Sequence, residues 1–333
     1  MTATLDRPAA PGKAAVSVSV PAVVPALATP VVVFLFSSLL TFGLGALSPS
    51  NPAAAVLGET ATPADIARMN HEFGLDRPFV VQYLDWLGSA FTGDLGRSYF
   101  TTIPVSDSIF AALPVDLALA GLAMLLAVLL GGGAGILAAL RKGSRFDRAV
   151  TLVASALGTL PPFVIGIGLI VIFSVLLKAL PAGGYVPLES GVGPWLRFAI
   201  LPALALSLDT AAAIARQLRT SLVAQLGENY VTGAVVRGLG TRRVLFGHAL
   251  RNAIGPALTV LGVGVPTVLG GAVVTEKIFN LPGLARLTLQ AAAQHDVPVI
   301  QGTLLVTITV VLVCNTLINL ALLRLTPQGR RSS

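Results

Sequence analysis

Five stretches of this 333-residue chain contain no Asp, Glu, Lys, Arg or His: residues 22–47, 117–140, 149–177, 253–275 and 297–323. A sixth, residues 198–215, is interrupted only by Asp209. A bilayer core of about 30 Å takes about 20 consecutive apolar residues per helix, because every backbone polar group must be paired within its own segment there. The runs therefore predict an all-α integral membrane protein with six transmembrane helices. The third run contains Pro161 and Pro162, and proline removes a helical hydrogen bond, so a kink or break is expected at that point.

Composition agrees: 11% of residues are charged, against roughly 25% in a soluble domain. The formal charge of +7 does not indicate a nucleic-acid partner, since aromatic residues for base stacking make up only 6% and basic residues on an apolar chain serve topology. Alternate loops differ sharply in Lys and Arg. Arg7, Lys13, Arg141, Lys142, Arg145, Arg148, the six arginines from Arg216 to Arg251, Arg324, Arg330 and Arg331 fall on one side. The other side has Arg68, Arg77, Arg97, Lys178, Arg197, Lys277 and Arg286. The positive-inside rule then places both termini and the 216–252 segment in the cytoplasm of a multi-pass cell-membrane protein.

The chain divides accordingly. Residues 1–21 are an unpatterned tail expected to be disordered. Residues 22–47 form the first span, too long for the apolar region of a cleaved signal peptide. Residues 48–113 form an external loop with short helices, in which Glu59, Asp65, Glu72, Asp76, Asp85, Asp94 and Asp107 outnumber three arginines. Residues 114–325 form the helical core, and residues 326–333 a cytoplasmic tail. Gly131, Gly135, Gly158, Gly166, Gly168, Gly262, Gly264, Gly270 and Gly271 lie inside the runs, where small residues let helices approach closely.

Several chemistries are absent from the sequence. It contains no G-x-x-x-x-G-K-[ST] loop for ATP, no H-E-x-x-H or C-x-x-C for a metal and no G-x-S-x-G for a hydrolase. Its one cysteine, Cys314, lies in an apolar run. No cofactor or metal is expected in this chain, and any ATP with its Mg must be bound by a partner. Asp209 is the one carboxylate that interrupts a run. It lies seven residues before Arg216, on the same helical face about 10 Å away. That leaves two readings open, a packing partner for Arg216 or another subunit, and a residue of a translocation pathway.

The segment GENYVTGAVVRGLGTRRVLFGHALRN, residues 227–252, is the longest polar interruption on the cytoplasmic side. Residues 228–237 are expected to form a short helix with Tyr230, Ala234 and Arg237 on one stripe. Gly238 and Gly240 break it, and Thr241 is placed to cap a second short helix carrying Arg242, Arg243 and His248. Asn252, Gly255 and Pro256 lead into the fifth span, where proline suits a first turn. A helix, elbow, helix unit of this length between two spans reads as a docking surface.

That segment resembles the cytoplasmic loop of binding-protein-dependent ABC importer permeases, whose pattern is E-A-A-x3-G-x9-I-x-L-P. Thr232, Gly233, Ala234, Gly238, His248 and Leu250 fall at its register. It is closer still to the branch that carries dipeptides, oligopeptides and nickel, with Asn229, Thr232 and Gly233 departing from that branch's letters. FGLDRPFVVQYLDWLGSAFTGDLGRSY at 73–99, LPAGGY at 180–185 and VVTEKIFNLPGLARL at 273–287 are similar to the family's external regions, while Thr326-Pro327-Gln328 replaces its usual ending. The resemblance implies the type I, MetI-like importer transmembrane domain with a cytoplasmic coupling helix. It implies that this is not an enzyme but the permease subunit of an ATP-driven importer of di- or oligopeptides, nickel or opine complexes.

The implied partners are a second homologous permease, two cytoplasmic ABC ATPase subunits, an extracytoplasmic substrate-binding protein and the lipid bilayer. Coupling to the ATPase falls, by register, on Asn229, Tyr230, Val231, Thr232, Gly233, Ala234, Arg237, Gly238, Leu239, Arg242, Arg243 and His248. Asp209 is a candidate for the pathway, and Glu72, Asp76 and Asp85 for contact with the binding protein. A proton-coupled secondary transporter is the competing class. It would need several intramembrane carboxylates or histidines, and Asp209 alone qualifies in the uncharged runs.

Overall fold

A computed structural model describes residues 20–47 and 51–325; the expected tails at 1–21 and 326–333 lie outside the described residues, except for Val20 and Pro21, which begin the first helix. The described chain is helical throughout: α1 Val20–Leu47, α2 Pro52–Leu57, α3 Pro63–Glu72, α4 Phe79–Phe91, α5 Val105–Leu140, α6 Arg145–Leu157, α7 Pro162–Leu169, α8 Val192–Leu226, α9 Asn229–Val236, α10 Thr241–Val244, α11 Leu250–Phe279, α12 Leu284–Gln294 and α13 Val297–Leu325. Four helical stretches among the described residues are long and apolar enough to cross a membrane: Val105–Leu140, Val192–Leu226, Thr241–Gly270 and Val297–Ile318. A bent pair, Arg145–Leu157 and Pro162–Leu176, makes a fifth if counted as one span. The described apolar part of the first run, Val31–Leu47, is a shorter helix by the same measure.

The expected break in the third run is present. α6 ends at Gly158, α7 starts at Pro162, and the two parts are bent by 109°. Both prolines lie at the start of α7, where no helical N–H is needed, so the chain turns without leaving an internal donor orphaned. α6 is then fastened to α8 at both ends. Asp147 in its first turn accepts two hydrogen bonds from Arg219, from Nε at 2.8 Å and Nη2 at 2.7 Å, and a third from the Gly143 N–H. At the other end Arg216 Nη1 donates to the Ala154 carbonyl. Arg216 thus serves a helix C-terminus, where a cation is favoured, rather than pairing with Asp209.

α5 and α8 pack along the centre of the bundle, and small residues set their separation. A Cβ added to Gly131 would meet the Ala211 backbone, and one on Gly135 would lie 2.8 Å from the Ala215 carbonyl oxygen. Gly166 and Gly264 are also tight, against Phe279 and Thr210, whereas Gly168 and Gly270 face open space within this chain. In lipid such close backbone approach supplies the association that burial supplies in water. Pro256 falls well inside α11, as does Pro266, and Pro114 and Pro202 lie inside α5 and α8. Pro256 therefore does not occupy the first turn expected for it, because the helix begins six residues earlier.

The segments joining α1 to α5 and flanking α12 are polar and aromatic. Thr62 and Asp65 form a reciprocal capping box at the start of α3. Phe42 of α1 packs edge-on against Phe79 and Tyr83 of α4, and the Ser38 and Tyr83 hydroxyls hydrogen-bond at 2.8 Å. Gln301 of α13 donates to the Ser38 carbonyl at 2.8 Å, tying the first helix to the last. Ser98 donates to the Asp296 carboxylate, which also accepts from the Tyr99 N–H. Burial holds the Asp296 carboxyl above the ordinary aspartate range, and burial followed by the Asp296 charge pushes the Tyr99 hydroxyl up to about 12.

Candidate functional site

The segment between α8 and α11 folds as the sequence suggests, with two corrections. α9 spans Asn229–Val236 and ends in a Schellman motif: the Gly238 N–H bonds the Val235 carbonyl at 2.9 Å, and the Leu239 N–H the Ala234 carbonyl at 3.2 Å. Gly238 sits at φ 77°, where a side chain costs roughly 1–2 kcal/mol. The second helix starts at Thr241, but its N-cap is Gly240, and Thr241 makes no side-chain cap. The chain then widens into a π-helical turn at Leu245–Ala249 before α11, with His248 Nδ1 3.2 Å from the Arg243 carbonyl. The expected stripe of Tyr230, Ala234 and Arg237 is also divided: Ala234 is buried, while Tyr230 and Arg237 are exposed.

Burial sorts the residues that family register assigned to coupling. Val231 and Ala234 point into a core with Leu218 and Leu222 of α8, Val244, Leu245 and Ala249. They attach the elbow to the bundle. Asn229, Thr232, Arg237, Gly238, Arg242 and Arg243 are exposed, and Gly233, Leu239 and His248 are half-buried. The most exposed apolar side chains on the unit are Val236, at 81%, followed by Phe246 and Val235. These three were not read from the sequence as site residues. A signal existed, since valines at α9's end and a phenylalanine after two arginines do not belong on a solvated loop.

Tyr230 has a second role. Its hydroxyl donates to Gln225 Oε1 at 2.7 Å, and Asn252 Nδ2 donates to it at 3.2 Å. One side chain of α9 therefore bridges the end of α8 and the start of α11. Gln225 was not legible as a partner because nothing in the linear pattern brings the residues around a turn into contact.

The other candidates are dispersed. Asp209 is half-buried on α8, with no hydrogen bond or ion pair among the described residues. Asp76 accepts a hydrogen bond from His71 at 2.7 Å, and Asp85 forms an ion pair with Arg77 at 2.6 Å; Glu72 is exposed. The hydrogen bond to Asp76, then its charge, raises the His71 imidazole, and the same bond lowers the Asp76 carboxyl. Two of these three carboxylates are thereby paired locally.

Asp209 is not the lone carboxylate within the helices. Asp116 lies in α5 and Glu276 in α11, one residue outside the uncharged runs 117–140 and 253–275. Helices extend past the run ends, and the rule of uninterrupted apolarity excluded both residues. Asp116 and Glu276 are buried side by side and border a cavity of about 440 Å³ between α5, α11, α12 and α13. Among the described residues no group of three His, Cys, Asp or Glu is placed to hold a metal ion.

Comparison with known proteins assigns the arrangement to a family. Residues 131–331 match the binding-protein-dependent transport system inner membrane component, and residues 22–120 match the N-terminal part of such membrane components. A probable peptide ABC transporter permease of Sinorhizobium fredii is 36% identical over 304 residues, 91% of this chain and 97% of that one. A putative peptide transport permease of Brucella abortus is 41% identical over 82% of this chain and 87% of its own length. The di/tripeptide permease of Pseudomonas aeruginosa is 37% identical over 86% and 92%. The fold resembles a chain of an inward-facing methionine ABC transporter, with TM-score 0.54 and 13% identity over 66% of this chain and 97% of that one. The chain belongs to the binding-protein-dependent transport system inner membrane components, the permease subunits of ABC transporters.

Proposed function

We propose that this chain is one half of the membrane pathway of an ATP-driven importer of peptides, and that α9, the Gly238 elbow and α10 are the lever on which a cytoplasmic ATPase acts. The observation that carries the lever is the division of α9 into two faces: Val231 and Ala234 are locked into the bundle, while Val235 and Val236 are exposed, as are Arg237, Arg242 and Arg243 on the same short unit. Exposed valines and arginines on one unit suit a groove with an apolar floor and acidic rims. Peptide as the cargo is supported by the names of the relatives from Sinorhizobium, Brucella and Pseudomonas.

In this reading the chain has six spans with both termini cytoplasmic, pairs with a second permease and engages two ATPases that bind the ATP and Mg. No cofactor is held by this chain. A binding protein delivers the peptide at the external face, where Glu72, Asp76 and Asp85 contribute to its docking. Asp209, half-buried and without a partner among the described residues, faces the pathway. ATPase closure displaces the elbow, and the packed helices shift as rigid bodies.

The test is Gly238→Leu in proteoliposomes containing the permease pair, ATPases and binding protein. Uptake and peptide-stimulated ATP hydrolysis are expected to fall together, while basal hydrolysis persists. Undiminished stimulation and uptake would remove the lever.

A further inference from the structure

The carboxyl groups of Asp116 and Glu276 come from different helices and meet at one backbone position. A Cβ built on Gly283 would lie 2.5 Å from Glu276 Cδ and Oε2 and 2.7 Å from Asp116 Oδ1. The two carboxyl groups therefore converge on one point. Asp116 Oδ2 also accepts the Leu284 N–H at 2.6 Å, and Glu276 Oε2 the Arg286 N–H at 2.8 Å. These N–H groups belong to the first turn of α12, which starts after a glycine with no side chain to cap it. Carboxyl groups supplied by α5 and α11 do the capping instead.

Both groups are buried, Asp116 at 5% exposure and Glu276 at 0%. None of the ion pairs among the described residues includes either. The charged groups nearest in sequence look elsewhere: Lys277 is exposed, and the Arg286 guanidinium donates to Asn280 Oδ1 at 2.6 Å. From α13 and α12 the residues bordering the neighbouring cavity are apolar or threonine, and α5 and α11 bring only the two carboxyls. A hydrogen bond between two carboxyl groups needs a proton on one of them, and two carboxylates in contact without a cation cannot both ionise. Glu276 Oε1, buried with no hydrogen-bond partner, accepts nothing to offset a second charge.

We propose that Asp116 and Glu276 share one proton and together act as a proton-dependent clasp that positions α12, the external hairpin, against α5 and α11. With the proton in place, one carboxyl donates to the other, and the single remaining negative charge faces the amino end of α12, where the helix dipole favours it. Without the proton, two like charges repel at the point where three helices meet, and the clasp opens. The cavity alongside gives the hairpin room to move. The two residues position the hairpin, and the inference does not depend on the identity of the transported solute.

Hydrogen exchange of the full-length chain in nanodiscs tests this through the amides of residues 283–287, corrected for intrinsic exchange at each pH. In the wild type, protection of this segment is expected to fall at least tenfold between neutral and alkaline pH, with the α8 segment unchanged as the control for folding. Glu276→Gln and Asp116→Asn each keep an acceptor for α12 and supply an amide donor to the remaining carboxylate, so protection is expected to persist and lose its pH dependence. Two results would overturn the clasp: a pH profile in both variants identical to that of the wild type, or loss of protection in both at every pH while α8 stays protected.

Discussion

Replacing Gly135 by alanine adds one methyl group at one of the close approaches of the α5 and α8 backbones. The new carbon would stand 2.8 Å from the Ala215 carbonyl oxygen and 3.2 Å from both Ala215 Cα and Leu218 Cβ. That is roughly 0.7 Å inside the optimal separation of nonbonded heavy atoms, and the nearest atom is backbone, which cannot swing aside. Overpacking of this kind costs about 1–3 kcal/mol, against which the helix-propensity gain of alanine over glycine offsets at most about 1 kcal/mol. Gly132 supplies the internal control: it lies in the same helix, and a Cβ there meets nothing within 4 Å. Gly132→Ala gains the same propensity and pays no steric cost. Thermal unfolding of the separately purified chain in detergent is the assay, with Gly135→Ala expected several degrees below Gly132→Ala, since 1 kcal/mol shifts the midpoint by about 2–4 °C at this size. Equal midpoints for the two variants would refute the claim that backbone contact at Gly135, rather than general helix quality, sets the α5–α8 spacing.

Arg219→Ala leaves Asp147 without its bidentate partner and is expected to lower the unfolding midpoint, whereas Asp147→Asn with Arg219→Gln recovers part of the loss; unfolding midpoints that do not separate the two would contradict the paired reading. Tyr230→Phe removes one hydroxyl from a bridge between α8 and α11 and is expected to cost about 1 kcal/mol, read as faster hydrogen exchange confined to residues 225–236; uniform exchange across the chain would point elsewhere. His71 is raised by the hydrogen bond it donates to Asp76, so the tie it gives the turn after α3 is fully present below the unfolded imidazole value and is lost as pH rises through the higher folded value. In Asp76→Asn the imidazole titration, followed by NMR of labelled histidine, is expected to move down toward 6.5; an unmoved titration would remove the pair.

The parts legible in the sequence were those governed by local rules. Uninterrupted apolarity located the helical stretches, two consecutive prolines marked the break before α7, and glycine spacing marked the end of α9 within one residue. What escaped depends on register between distant helices. Asp116 and Glu276 each sit one residue beyond an uncharged run, and only the packing of α5 on α11 makes them neighbours. Arg216 reads as a partner for Asp209 along one helix, yet the packing of α6 on α8 brings the Ala154 carbonyl within its reach. Gln225 and Asn252 flank opposite ends of the elbow and meet through Tyr230 only because the segment between them doubles back.

The two fastenings of α6 to α8 have a mechanical consequence. Arg219 holds the first turn of α6 and Arg216 its last, so the pair behaves as one strut with no free joint along its length. Beyond Ala154 the fastening stops, and the chain passes through Gly158 into Pro161 and Pro162 with its 109° bend. α8 runs directly into the elbow. Gly158–Pro161 is therefore the stretch just past the fastening where the chain changes direction. The third run is thus two arms of unequal freedom, the first fixed along α8 and the second set at an angle to it by the paired prolines.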